Sequence, residues 1–263
     1  MDSQNDTSSE QSMDEIKNAS AGALLMKDIG EKTFLKNLLP RLTKRDFFLN
    51  GFGNDASVID LGNGLIIAQK IDRAAQPFAV KNQLSNFESW GHLAVISNLS
   101  DILAVGASGS AFMLSMTLPS DFEVEKAYEI VRGAEKACKK YNLTFAGGDT
   151  KEGPVINIVG TLIGIMRSRS YFSRRLVEPG NILVITGSIG RFASIYLKHQ
   201  AGFQLSADEI DYIAFPDPRL IEATVINEYF DDIKTAMDNS DGLAEIFAQL
   251  ARVCPVPHNL LFL

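Results

Sequence analysis

Residues 143–166 read LTFAGGDTKEGPVINIVGTLIGIM, and this stretch decides the fold. Leu143 to Ala146 is a short apolar run of strand character that passes directly into Gly147-Gly148-Asp149-Thr150. Val155 to Met166 is a second run, rich in Ile, Val and Leu, that predicts another strand. Upstream, Ser120-Asp121-Phe122-Glu123 has the spacing of a capping box and predicts a helix whose core face is Val124, Ala127, Tyr128, Val131, Ala134 and Cys138. Before it, Ala111 to Leu118 predicts a strand. From Asn86 to Val105 the apolar positions Trp90, Leu93, Ala94, Ile96, Leu99, Ile102 and Leu103 predict a long buried helix ending at Gly106. Ala56 to Gln69 predicts two strands around Gly62-Asn63-Gly64, where an Asn-Gly pair tolerates the positive φ of a tight turn. The order strand, strand, helix, strand, helix, strand, strand is an α+β pattern rather than a doubly wound one.

Further upstream, Phe34, Leu35, Leu38, Leu39 and Leu42 predict a short helix near Lys32 to Leu42, shortened at Pro40. Residues 1–20 are polar and acidic, with few apolar anchors, and are expected to be a disordered tail. Downstream, the polar segment Arg174 to Asn181 carries Pro179-Gly180 and is read as a connection between domains. The expected division is therefore an N-terminal domain over 30–167 and a second over 168–263. In the second, Ile182 to Thr186 predicts a strand feeding Gly187-Ser-Ile-Gly190, and Phe192 to Leu197 predicts a helix. A glycine turn opening a helix can offer amides to an anion, although most such turns are only turns.

The chain has 263 residues, 46% of them hydrophobic and 22% charged, enough apolar material for one large domain or two modest ones. A net charge of −7 excludes an electrostatic nucleic-acid binder, which needs a basic face. The two cysteines, Cys138 and Cys254, form no CxxC pair and suggest neither a disulfide framework nor a zinc site, which fits a reducing, cytoplasmic setting. No apolar run is long enough to span a membrane, and the polar N-terminus lacks the pattern of a signal peptide. There is no Walker A lysine motif and no HRD and DFG pair. His92, His199 and His258 are read as structural or surface residues.

The residues that carry chemistry are acidic. Asp55 lies in Gly53-Asn-Asp-Ala-Ser-Val58, Asp101 in Ser97-Asn-Leu-Ser-Asp101, Asp149 in Gly147-Gly-Asp-Thr150, and Asp238 and Asp241 in Asp238-Asn-Ser-Asp-Gly-Leu243. On its own, an Asp beside a Gly most often serves a turn or a helix cap. Asp101 is different, because a carboxylate on an otherwise apolar helix is costly unless a cation or hydrogen-bond donors meet it. Magnesium needs converging carboxylate oxygens, and phosphoryl transfer from ATP needs magnesium to gather and neutralise the polyphosphate.

Taken in order, GxDxxV, NLSD followed by Ile102 to Gly106, Thr117-Leu-Pro119, GGDT with a trailing Gly153, SRxxxxPG over Ser173 to Gly180, and DxSDGL resemble the thiamine-monophosphate kinase family. That family sits in the superfamily of aminoimidazole-ribonucleotide synthetase, selenophosphate synthetase and the hydrogenase-maturation dehydratase. The resemblance covers roughly residues 30 to 250. It implies an N-terminal ferredoxin-like α+β domain that makes a homodimer through its sheet, followed by a C-terminal α/β domain, with ATP and a group of Mg2+ ions at their junction. By the same match, Asp55, Asp101, Asp149, Asp238 and Asp241 are metal ligands, Gly148 and Asp149 lie along the nucleotide phosphates, and Arg174 contacts ATP. Phosphate then passes directly to a small phosphorylated acceptor, with thiamine monophosphate the leading candidate and no protein nucleophile required.

Three departures from the family pattern bear on this expectation. The second strand of the hairpin usually carries a Ser-Thr-Asp run, matched here by Ala68-Gln69-Lys70. Asp72 would supply the missing carboxylate only if a bulge or register change re-aimed it, whereas Lys70 would place a positive charge where a metal sits. Asn54 replaces the first of two adjacent aspartates, and Pro77-Phe78 keeps only the aromatic half of a His-Phe pair. The family also continues past the point matched by Leu263, so the C-terminal domain is expected to be truncated, with Leu260-Leu-Phe-Leu263 at an exposed apolar edge. Two other readings stand beside the kinase: a non-catalytic dimeric nucleotide-binding homologue, and an ATP-dependent amide-activating synthetase. The synthetase reading would want a reactive cysteine near the N-terminus or at the chain end.

Overall fold

The computed structural model describes residues 23–253. The expected tail over 1–20 and the apolar edge at Leu260–Leu263 both lie outside those residues. Two compact units are distinguished, one up to Arg45 and one from Asp46 onward.

In the first unit, helix α1 spans Met26–Leu38 and is followed by a 3-10 turn at Leu39–Arg41. Gly30 adopts φ 72 and breaks α1 into two pieces, a conformation that costs little without a Cβ. Pro40 sits in the opening turn of the 3-10 segment, where no backbone donor is needed, so the α-helix ends before it as expected.

The second unit is built on β1 (Ser57–Asp60), β2 (Ile66–Ala74), the one-turn α2 (Phe78–Lys81), α3 (Glu88–Ala104), β3 (Ser108–Leu118), α4 (Val124–Lys140), β4 (Thr144–Glu152) and β5 (Asn157–Ile165). This is the α+β order expected from the sequence, with α2 added. The five strands run β1-β2-β5-β3-β4, and every neighbouring pair is antiparallel except β3 with β4. A parallel pair needs a crossover, and α4 supplies it. The β1–β2 turn is made by Gly62, Asn63 and Gly64, all at positive φ.

Strand alternation gives the sheet one covered and one open face. On the covered face Ala68, Lys70, Asp72 and Ala74 of β2 pair with Gly164, Leu162, Gly160 and Ile158 of β5. Helix α3 lies directly on this face: a Cβ added to Gly160 would sit 2.7 Å from the Ala94 carbonyl oxygen, and one on Gly164 2.5 Å from the Ile102 side chain. Helices α3 and α4 meet through two glycines, where a Cβ on Gly91 would come within 1.8 Å of the Ile130 oxygen and one on Gly133 within 1.9 Å of the Glu88 oxygen. Around these contacts Leu99, Ile102, Phe112, Ile130, Ile158 and Leu162 are fully buried, each contributing about 1.5–3 kcal/mol of hydrophobic stabilisation. The open face carries Ile71, Met113, Ile163 and Ile165, all exposed.

Beyond β5 come α5 (Arg191–Gln200), α6 (Ala207–Ala214), α7 (Leu220–Glu228), a 3-10 turn at Phe230–Asp232, and α8 (Leu243–Val253). Helix α5 falls where Phe192 to Leu197 predicts one. Two expectations are corrected. Ile182 to Thr186 is irregular, with Ile182 89% and Val184 79% exposed, because no strand among the described residues lies alongside to pair its backbone groups. Ser120 does not cap α4, whose N-cap is Glu123 with no side-chain hydrogen bond. The capping box that does form is at α6, where Ser206 and Glu209 satisfy each other's backbone donors.

Candidate functional site

Three of the acidic residues converge. Asp55 leads into β1, Asp101 lies in the last turn of α3, and Asp238 lies in the loop before α8. One carboxylate oxygen from each falls within 4.8 Å of the other two. The Asp55 loop is held by two asparagines. Asn50 donates to the Ala56 carbonyl at 2.8 Å and accepts from the Val58 amide at 2.9 Å, while Asn54 donates to the Asn50 carbonyl at 2.8 Å. Asn54 also accepts from the Ser173 hydroxyl at 3.3 Å and the Arg174 amide at 3.2 Å, so the segment after β5 is tied to the start of β1.

Two cations complete the cluster. The Arg174 guanidinium makes a two-pronged contact with Asp55, with Nε 3.0 Å from Oδ2 and Nη2 on Oδ1, and its Nη1 donates to Gln249 of α8 at 2.8 Å. Its Nη2 is also 3.9 Å from Asp238. Lys70 of β2 reaches across the covered face, with Nζ 2.7 Å from Asp101 Oδ2. Burial, reinforced by the charge of Asp238, pushes the Asp101 carboxyl up to about 7 although Lys70 opposes it. Burial and then Asp55 push Asp238 up to about 6, against the help of Ser240 and Arg174. Burial works against the charge of Arg174, but its hydrogen bond to Asp55 and the charges of Asp55, Asp238 and Asp101 together outweigh that and raise its pKa. An all-oxygen donor set with carboxyls that hold protons so readily fits a hard divalent cation such as Mg2+.

The other expected residues are placed elsewhere. Asp149 and Gly148 are on β4, an edge strand of the sheet, and Asp149 is exposed, 3.8 Å from Lys151. The strand runs on past GGDT because β3 pairs with it again from Gly148 to Glu152, and Gly147, at φ 117, lies in the bulge where the β3 register shifts between Phe112 and Leu114. A Cβ on Gly148 would lie 1.7 Å from the Leu114 oxygen, so glycine there serves strand packing. Asp72 shares the covered face with Lys70, but β2 pairs with β5 without a break through this region, so no bulge re-aims it and it stays outside the cluster. Asp241 is exposed at a cleft of ≈ 50 Å³ shared with Arg174, Asp238, Ser240, Glu245, Ile246 and Gln249.

Sequence reading misses Gln249, an unremarkable position on an amphipathic helix, and the tethering role of Asn54. It also passes over Asn98 of the NLSD stretch, fully buried on α3, whose Oδ1 has no hydrogen-bond partner among the described residues. An asparagine amid apolar residues is the signal that could have marked it. His92 is structural, buried with Nε2 2.8 Å from the Pro216 oxygen. Cys138 is a buried free thiol, pushed up to about 12 by burial.

Residues 53–166 match the family described as AIR synthase related protein, N-terminal domain. Thiamine-monophosphate kinase of Pyrococcus abyssi is 27% identical over 218 residues, covering 82% of this chain and 67% of the relative. That of Methanospirillum hungatei JF-1 is 34% identical over 154 residues, covering 59% of this chain and 50% of the relative. The chain thus spans between one half and two thirds of the length of these two relatives. Among solved structures, AaThiL complexed with AMPPCP and TMP superposes with a TM-score of 0.74 at 20% identity, over 89% of this chain and 73% of that one. Residues 53–166 thus resemble the AIR synthase related N-terminal domain, and the chain as a whole is similar to thiamine-monophosphate kinases.

Proposed function

We propose that the protein is an ATP- and Mg2+-dependent kinase that transfers phosphate to thiamine monophosphate, giving thiamine diphosphate. The observation that carries this reading is the convergence of Asp55, Asp101 and Asp238 at one buried point beside Arg174, in a chain whose relatives are thiamine-monophosphate kinases. Asp55, Asp101 and Asp238 would hold Mg2+, which supplies charge neutralisation to the transferring phosphoryl group. Arg174, clamped by Asp55 and Gln249, presents a pre-oriented guanidinium beside the Asp241 cleft, where a nucleotide phosphate is its natural partner. Asp149 and Gly148 line the phosphates from the edge strand, and Asp72 stays in reserve as a second-strand carboxylate.

The exposed apolar face of the sheet, with Ile71, Met113, Ile163 and Ile165, supports a homodimer formed by the N-terminal, ferredoxin-like domain over 30–167. No helix among the described residues is long and apolar enough to cross a membrane, which agrees with a cytoplasmic site of action. Calorimetric titration of AMPPCP with and without Mg2+, followed by thiamine monophosphate into the nucleotide complex, tests the reading. Binding of both in sequence, dependent on Mg2+, is expected; heat from neither would overturn it.

A second reading has its own observation. Lys70 already occupies Asp101, which favours a homologue that binds nucleotide without transferring phosphate. Mg2+-dependent AMPPCP binding with no turnover of ATP would select it.

A further inference from the structure

Lys70 is, with Arg174, one of two cationic side chains in the cluster, and both work against cation binding. Lys70 projects from β2 on the covered face, just past the last β1 pair at Gln69 and in unbroken register with β5. Its ammonium is 2.7 Å from Asp101 Oδ2, and its side chain is 24% exposed where that of Asp101 is 7%. The contact is therefore nearly dry at the carboxylate end and open to solvent at the lysine end. Three carboxylates face two cations, Lys70 and Arg174, so the cluster carries a net charge of −1 (2 − 3). A divalent ion overfills that deficit, and any ion on Asp101 shares its carboxylate with an ammonium.

Arg174 cannot yield, since it is bound to Asp55 and Gln249 and its backbone to Asn54. Lys70 can, because its four-carbon stem leads to solvent and Asp101 is its one ion-pair partner among the described residues.

We infer that Lys70 is a resident counter-cation of the carboxylate cluster, which a divalent ion must displace from Asp101, so that metal loading is favoured by a ligand bringing negative charge of its own. This inference rests on the metal-site reading above. It gives the cluster a lock: closed by Lys70 when no polyphosphate is present, opened when an anion draws the ammonium away and restores the charge deficit for the metal.

The test follows Mn2+ binding to the nucleotide-free protein by electron paramagnetic resonance, at mildly alkaline pH, for the wild type, Lys70→Met and Lys70→Arg. Methionine keeps the apolar stem and drops the charge, lowering the net charge to −2 (1 − 3). Lys70→Met is expected to bind Mn2+ about tenfold tighter than wild type or better, and Lys70→Arg like wild type. Equal affinity in Lys70→Met and wild type would overturn the lock and leave the metal site standing. No Mn2+ binding by any of the three would overturn both.

A second measurement needs no variant. Mass-spectrometric labelling of Lys70 in the wild type by an amine-reactive reagent should rise when saturating Mn2+ is added, and an unchanged level would overturn the displacement.

Discussion

Replacing Asp101 with Asn should stabilise the metal-free protein while destroying its function. Asp101 is buried at the end of α3, and its carboxyl is held up to about 7 from an ordinary 3.8 by burial and by Asp238. A carboxyl whose pKa is higher in the folded than in the unfolded state stabilises fully only below its unfolded pKa. That stability is lost as pH rises through the folded value. The window therefore runs from about pH 4 to about pH 7. Across it the ionised form costs roughly 4 kcal/mol, at 1.36 kcal/mol per pKa unit. Asn removes that cost but leaves the Lys70 ammonium without its carboxylate, an offset of about 1–3 kcal/mol. A net gain of about 1–3 kcal/mol is expected at pH ~8, shrinking toward zero or reversing near pH ~4. Urea unfolding of wild type and Asp101→Asn in EDTA at the two pH values measures it. A variant less stable than wild type at the higher pH, or a difference that does not change with pH, would refute the electrostatic account of the cluster.

Other outcomes follow from particular contacts. Arg174→Ala should cost about 3–5 kcal/mol, because it strands the buried Asp55 carboxylate, and thermal unfolding reads the loss. Gly91→Ala should lower stability by about 2 kcal/mol or more and loosen α3 from α4, since its Cβ would lie 1.8 Å from the Ile130 oxygen. Gly62→Ala, with open space around it and only its φ of 85 to strain, should cost about 1 kcal/mol. In a Cys254→Ser background, the Cys138 thiol should resist a water-soluble disulfide reagent in native buffer and react fully in denaturant, as expected of a buried thiol pushed up to about 12.

The sequence made the region from Ala56 to Met166 readable because its signals are local. Asn63 between two glycines specifies a turn, the spacing from Trp90 to Leu103 specifies a buried helix, and Val155 to Met166 specifies a strand. Asp101 stood out for the same reason, as a charge on an apolar helix. What the sequence concealed depends on residues far apart in the chain. Ile182 to Thr186 has strand composition, but a strand exists only with a partner, and none among the described residues lies beside it. GGDT reads as the end of a strand, yet β3 pairs past it as far as Glu152. The Lys70–Asp101 and Arg174–Gln249 contacts join positions with no spacing rule between them, and only the packing of α3 on the sheet and of α8 beside Arg174 brings them together.

On the proposed reading, Asp55, Asp101 and Asp238 hold one Mg2+ that serves phosphoryl transfer to thiamine monophosphate. Chromatographic detection of thiamine diphosphate from ATP and thiamine monophosphate, comparing wild type with Asp238→Asn, is the decisive measurement. Mg2+-dependent product is expected from the wild type, with a loss of roughly 100-fold or more in the variant. No product from the wild type, or equal turnover by Asp238→Asn, would contradict it.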